Sequence, residues 1–253
     1  MIGSSPRERL QALLTRARSA PRTIRFRVRR RRLARRHLHG RGIEVGALHA
    51  PLRVPPGAIV EYVDRMTVEE LRAHYPELAS ERLVAVDIVD DGETLGSQPD
   101  ASADFIVANH FIEHTEDPIG TLGNQMRVLR PGGILYMAVP DRRLTFDSER
   151  EPTPLEHLIE DHRDGPQRSR AGHFEEWARH VERVPAEDVA SRARALEDED
   201  YSIHFHVWTA GEFRAMLDHA RQEAQIPFAL EEIQGNEHEF IVILRRLQPP
   251  TRG

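Results

Sequence analysis

The chain of 253 residues contains no cysteine. That removes disulfide frameworks, thiolate-ligated zinc, iron–sulfur centres and every mechanism with a thiolate nucleophile. Lysine is missing too, so all 35 permanently cationic side chains are arginines; this reads as codon usage and carries no mechanism. No run approaches the roughly 18–20 apolar residues of a membrane span. The N-terminus also lacks the apolar core of a secretory signal, so a cytoplasmic location is expected. The hydrophobic fraction of 39% is still enough for a substantial core at this length.

What is present is unevenly spread. The formal charge is −6, yet residues 1–43 hold fourteen arginines and one acid, Glu8, while the remainder holds 21 arginines against 40 acids. A basic arm therefore precedes an acidic body. Ser5-Pro6-Arg7-Glu8 predicts a helix running to about residue 20, with Leu10, Leu13 and Leu14 on one face and Pro21 ending it. Residues 22–36 interleave arginines with Ile24, Phe26, Val28 and Leu33 and read as either a basic helix or an extended arm. Such an arm suits RNA or an acidic membrane surface. It equally suits docking on the acidic body or on the second subunit of a homodimer, and the charge asymmetry favours docking over nucleic acid.

From Gly42 onward the signals alternate. Apolar runs at 43–46, 58–63, 83–88, 104–108 and 134–139 predict short buried strands. Helical patterns fall at about 67–74 and 118–129, and Pro131-Gly132-Gly133 predicts a sharp turn before the fifth strand. This alternation argues for a doubly wound α/β fold with a mostly parallel sheet covered on both faces. Runs at 227–233 and 239–245 flank Gly235-Asn236 and predict a closing antiparallel hairpin. Residues 141–203 break the pattern. Thr153-Pro154-Leu155-Glu156 reads as a capping-box start, followed by helical patterns at about 172–183 and 186–197, so this stretch is expected to be a helical lid. Thr209-Ala210-Gly211-Glu212 opens a further helix carrying Phe213, Met216 and Leu217. The domain expectation is a basic helical extension at 1–41 followed by one α/β domain at 42–253.

Open α/β sheets bind ligands at the carboxyl ends of their strands. Here the first strand ends in Glu44-Val45-Gly46-Ala47-Leu48, and Asp64 stands twenty residues after Glu44 at the end of the second. A carboxylate there can accept two hydrogen bonds from a ribose diol. A dinucleotide needs a second glycine for close approach of the pyrophosphate, where this chain has Leu48. S-adenosylmethionine has no pyrophosphate, so Gly46 alone suffices. Glu44 would repel a phosphate and suits the ammonium of a methionine moiety.

Glu44-x-Gly46 with Asp64, the stretch Asp104-Phe105-Ile106-Val107-Ala108-Asn109, and Arg127-Val128-Leu129-Arg130-Pro131-Gly132-Gly133 resemble successive motifs of class I S-adenosylmethionine-dependent methyltransferases. Phe111-Ile112-Glu113-His114 with Asp117-Pro118 adds to the likeness, which departs at Leu48, usually glycine in the family. The stretches EVGALHAPL, VDIVDDGE, PDRRLTFD and HFHVWT are similar to a bacterial subgroup of methyltransferases of the methyltransferase type 11 kind, acting in polysaccharide and glycoconjugate pathways. The resemblance implies that Gly46 and Ala47 pack against S-adenosylmethionine and that Asp64 holds its ribose. Asp87 and Ile88 would border the adenine, with Asp90 and Asp91 competing for the same task. Asn109 and His110 would lie beside the methionine moiety. The implied activity is O-methylation of a sugar or oligosaccharide, with a methylated-mannoside type of acceptor among those the resemblance suggests. A small-molecule or quinone/lipid methyltransferase is the alternative, and an RNA-binding or RNA-methylating protein a second one.

Eight of the fourteen histidines fall between residues 110 and 206. An alcohol must lose its proton as it attacks a methyl sulfonium, and neutral histidine is a common acceptor near pH 7. His110, Glu113 and His114 at i, i+3 and i+4 would share a face of a helix. Either His114 is a general base oriented by Glu113, or the three hold a divalent ion such as Mg2+ that acidifies the hydroxyl. A plain packing role is the remaining possibility. In Ile203-His204-Phe205-His206 the two histidines share a face if the segment is extended, which makes His206 a second candidate base. Glu156, His157, Asp161, His162, His173 and Trp177 suggest a polar, partly aromatic wall in the lid, although a solvated helix face explains each one singly.

Overall fold

A strand buried on both faces needs apolar side chains at every position, and three segments meet that demand. In β4 (Ala103–Asn109), Phe105 and Val107 point to one face while Ile106 and Ala108 point to the other. β5 (Leu129–Pro140) divides Ile134, Tyr136 and Ala138 from Leu135, Met137 and Val139 in the same way, and β7 (Glu239–Arg246) divides Ile241 and Ile243 from Val242 and Leu244. With β1 (Arg41–Val45), β2 (Ile59–Asp64), β3 (Ile88–Val89) and β6 (Phe228–Asn236) they form a seven-stranded sheet of order β3-β2-β1-β4-β5-β7-β6. Pairing is parallel from β3 to β5, and β7 runs antiparallel to both β5 and β6. The computed structural model describes residues 25–248 apart from 76, 77 and 79. The helix expected at 5–20 lies outside the described residues.

One face of the sheet is covered by the arm. Residues 25–37 are helical (α1), and Leu33, Ala34 and Leu38 pack on Phe105, Tyr136 and Ile243. On the other face lie α3 (Pro118–Val128), α4 (Leu155–Asp164) and α7 (Ala210–Gln222), through Ile119, Leu122, Leu158, Phe213 and Leu217. α2 (Val68–His74) joins β2 to β3 and starts at a Thr67–Glu70 capping box; α7 starts at a Thr209–Glu212 box. α5 (Gln167–His180) and α6 (Val189–Asp198) form a satellite core around Phe174, Leu196, Ile203 and Phe205.

Several local expectations differ from the fold. The apolar run at 83–88 contributes little strand, because β3 holds only two residues and the Asp87 carboxylate accepts the Tyr62 N–H at 2.9 Å. Pro131-Gly132-Gly133 lies inside β5, as an irregularity with Gly132 at φ 85°, and not before it. The closing hairpin turns at Glu237-His238, since Asn236 pairs with Glu239 and Glu237 takes φ 61°. Thr153 builds no capping box, because its hydroxyl accepts the Val207 N–H at 3.0 Å and Pro154 caps α4 without a side-chain bond.

The arm is fastened by charge as well as by apolar packing. The Glu239 carboxylate is fully buried and accepts from Arg30 through both oxygens, with Nε at 2.8 Å. His110 Nε2 lies 2.9 Å and Asn236 Nδ2 2.6 Å from the same carboxylate. Arg36 and His37 meet Glu232 and Glu231 on β6 at 3.6 and 3.3 Å. Removing one member of a buried ion pair leaves an uncompensated charge. Arg30→Met is therefore expected to cost roughly 3 kcal/mol in chemical denaturation, the low end for such a loss because His110 and Asn236 remain. A cost under about 1 kcal/mol would show that the arm is held by apolar packing alone.

Candidate functional site

The carboxyl ends of β1, β2 and β4, with the segment after β3, border a cavity of about 540 Å³. Gly46 turns the chain at φ 64° directly after β1. A Cβ there would meet only Phe111 at 3.9 Å, so the left-handed backbone is what requires glycine at this position. Leu48 follows at φ 48°, an ordinary residue in a glycine-like conformation, and also lines the cavity. Asp64 stands in the wall at the end of β2, where burial raises its carboxyl pKa. Gly92 lets the segment after β3 lie close, since a Cβ there would come within 2.6 Å of Val45 and 2.7 Å of Phe111. The helical insertion completes the lining with Asp200, Tyr201 and Ser202. Arg65 holds it, with Nη1 2.7 Å from the Asp200 carboxylate and Nη2 2.8 Å from Tyr75 Oη.

Of the residues expected at the site, Gly46, Asp64, His110 and His114 line this cavity. Glu44 lies behind the wall, where both its oxygens accept the Leu52 N–H at 2.8 and 3.1 Å and tie the loop after β1. Burial pushes its carboxyl up to about 7 against that bond and the charge of Arg30. Ala47 is buried in the same loop. Asn109 stands next to Glu44 without a partner of normal hydrogen-bond geometry. Asp87 and Ile88 sit away from the wall, whose acids after β3 are Asp91 and Glu93. Glu93 accepts from the Glu116 N–H at 3.0 Å, and burial pushes its carboxyl up to about 7. Asp91 entered from the sequence only as a competitor of Asp87, and Gly92, Glu93, Tyr75 and Ser202 were not assigned from it. For the stretch after β3 the signal was the acidic run of Asp87, Asp90 and Asp91, in which three candidates shared one pattern; Tyr75 and Ser202 carried none.

The expected helical face over His110–His114 does not form. His110 takes φ 50° and only a single 3-10 turn spans Ile112–His114, because α3 begins later at its Asp117 cap. His110 lies between Glu113 at 3.4 Å and Glu239 at 2.9 Å. Burial alone would lower its pKa, but the two carboxylates overcome this and lift it to about 9. Glu239 is correspondingly held at about 2, its own burial being outweighed by Arg30 and His110. His114 behaves oppositely. Burial, then the neighbouring His204, bring it down to about 4, so it is neutral at pH 7. Its Nδ1 is 2.8 Å from the Ile203 carbonyl, which can only accept, so Nδ1 carries the proton and Nε2 the lone pair.

Glu113, His114 and His204 group their donor atoms within 4.8 Å. One oxygen and two nitrogens do not fit Mg2+, which takes near-octahedral oxygen shells. Glu113 itself is fully buried, and burial would raise its carboxyl, but His110, His114 and His204 keep it low. His206 is buried away from the cavity, with Nε2 3.3 Å from the Glu116 carbonyl. His204 and His206 thus serve different clusters, His204 that of His114 and His206 that of His157 and His173.

A family model described as a methyltransferase domain matches residues 19–220. The chain belongs to that family. A Mycolicibacterium smegmatis protein named "Probable S-adenosylmethionine-dependent methyltransferase" is 38% identical over 92 residues, 36% of this chain and 32% of the relative. The match thus spans about a third of that curated relative's length. A methyltransferase structure from Thermotoga maritima, titled a possible histamine N-methyltransferase, covers 82% of this chain and 83% of its own at 15% identity and TM-score 0.44. One from Aquifex aeolicus covers 85% and 87% at 13% identity and TM-score 0.45. Neither structural likeness bears on activity. Among the described residues of this methyltransferase domain, no helix is long and apolar enough to cross a membrane.

The paired carboxylates around His110 set a pH dependence. A histidine raised above its ordinary 6.5 stabilises the fold fully below about pH 6.5, and that contribution is lost as pH rises through about 9. Thermal midpoints of the natural chain and of His110→Gln should differ most near pH 6 and converge above pH 9. A gap that stays constant from about pH 6 to pH 10 would contradict the assignment.

Proposed function

We propose that the chain transfers a methyl group from S-adenosylmethionine to a hydroxyl of a sugar or oligosaccharide. The observation that carries the reading is the cavity of about 540 Å³ at the strand ends, walled by the Gly46 turn, Asp64 and Gly92. Its size is ordinary for a small-molecule site, and a half-buried carboxylate one strand over from a glycine turn matches the needs of a nucleoside. When bound, S-adenosylmethionine supplies an electrophilic methyl group on a sulfonium. Asp64 would accept the ribose hydroxyls, and Asp91 with Gly92 takes the place expected of Asp87 and Ile88 beside the adenine. His110 adds positive charge for the methionine carboxylate. Both of its ring nitrogens already serve Glu113 and Glu239, so it acts by charge.

His114 is the group suited to the proton. Its Nδ1–H is fixed on Ile203, and the Glu113 carboxylate beside it favours the imidazolium once formed. An imidazole of low pKa is still adequate, because the attacking hydroxyl becomes strongly acidic as its oxygen bonds to the methyl carbon. What supports a hydroxyl-rich acceptor is the lining, where Arg65, Tyr75, Asp200 and Ser202 supply a guanidinium, hydroxyls and a carboxylate. The lid would exclude water and align the acceptor, which is most of what an in-line methyl transfer asks of a protein.

Two substitutions separate binding from chemistry. Asp64→Ala is expected to weaken S-adenosylhomocysteine binding more than tenfold in calorimetry; unchanged affinity would remove Asp64 from the site. His114→Gln should leave that affinity intact while turnover falls by about a hundredfold, the usual scale for losing a positioned base. Turnover is read as labelled methyl transferred to a panel of oligosaccharides, quinols and RNA. Labelling confined to quinols or RNA would overturn the sugar reading while leaving methyl transfer in place.

A further inference from the structure

We propose that His157, Asp161, His173 and His206 form a tetrahedral zinc site that pins the helical insertion to the catalytic core. The four residues come from three separate segments. His157 and Asp161 stand at i and i+4 on α4, His173 on α5, and His206 on the extended stretch before α7. Their donor atoms all lie within 4.8 Å of one another. His157 Nε2 is 3.0 Å from His173 Nε2 and 3.1 Å from Asp161 Oδ2. Ligand bonds of about 2.0–2.2 Å place tetrahedral donors about 3.3 Å apart, so small side-chain movements close the shell.

The groups around these four atoms are arranged as a metal requires. His206 Nε2 sits 3.3 Å from the Glu116 carbonyl and must donate to it, so the lone pair is on Nδ1. That Nδ1 is buried and has no hydrogen-bond partner, in a side chain with no exposed surface. Asp161 is 4% exposed. Its Oδ1 accepts from Ser169 Oγ at 2.7 Å, leaving Oδ2 buried without a hydrogen bond of normal geometry. Two orphaned lone pairs thus converge on a pair of facing imidazole nitrogens. Ligands whose other polar atom is fixed by a carbonyl or hydroxyl are the usual outer architecture of a metal site.

Three imidazoles and one carboxylate, with no thiolate, match zinc in four-coordinate geometry. A closed shell of four protein ligands leaves no open position, so the ion is structural. The linkage reaches the methyl-transfer cavity by a short path, because the His206 backbone N–H donates to the Glu113 carbonyl at 3.3 Å.

The full chain, prepared without a polyhistidine tag and stripped with chelator, is titrated with Zn2+ alone. Metal is counted by mass spectrometry after gel filtration, and the thermal midpoint is followed. One zinc per chain and a raised midpoint are expected. Asp161→Asn and His173→Gln should each weaken retention at least tenfold, whereas His204→Gln and His238→Ala, which alter the other histidine clusters, should keep it. His157 is about one-third exposed, so His157→Gln should fold and provide a check independent of stability. Co2+ gives intense tetrahedral visible bands with the natural chain and should not with that variant. No stoichiometric zinc, or zinc lost from His204→Gln but kept by His173→Gln, would overturn the proposal.

Discussion

The buried carboxylate of Glu239 is the interaction on which the site depends. It joins three parts of the chain that are far apart in sequence: Arg30 on the arm helix, Asn236 at the hairpin end, and His110 in the turn after β4. A buried carboxylate without such partners would be costly enough to reorganise its surroundings. Here the partners hold it ionised, and in return it holds His110 as a cation at the edge of the cavity. The left-handed conformation of His110 persists because its ring is gripped from two sides, by Glu113 and Glu239.

The same interaction explains the charge asymmetry. The described part of the arginine arm covers one face of the sheet, with Leu33 and Leu38 as its apolar contacts and Arg30, Arg36 and His37 meeting acids of the last two strands. Charge that looked available for a polyanion is in part already committed within the chain. Burial on the two sheet faces then leaves the strand ends as the place where glycines, acids and histidines converge.

Architecture was legible because periodicity reports burial, and the double-sided burial of β4, β5 and β7 produced unmistakable apolar runs. The helix start at Thr209 was legible for a similarly local reason. Thr153 carried an identical signature, but its hydroxyl was claimed by Val207, a contact 54 residues away that no local pattern contains. The site was legible in part. Gly46 and Asp64 follow from strand ends, whereas the choice among Asp87, Asp90 and Asp91 depended on how far β3 extends. The histidines illustrate the limit best: spacing grouped His110 with His114, and the fold separates them into a cationic ring and a neutral one.

Two opposite electrostatic environments therefore lie a few residues apart, one made by carboxylates and one by burial beside other imidazoles. Their separation is what lets one turn supply both charge and a lone pair to the same cavity. The account is tested most directly by a crystal structure of the full chain with S-adenosylhomocysteine. It predicts one molecule per chain at the strand ends, its ribose on Asp64 and its adenine against Gly92. S-adenosylhomocysteine bound elsewhere, or a cavity that excludes it at saturating concentration, would contradict the account.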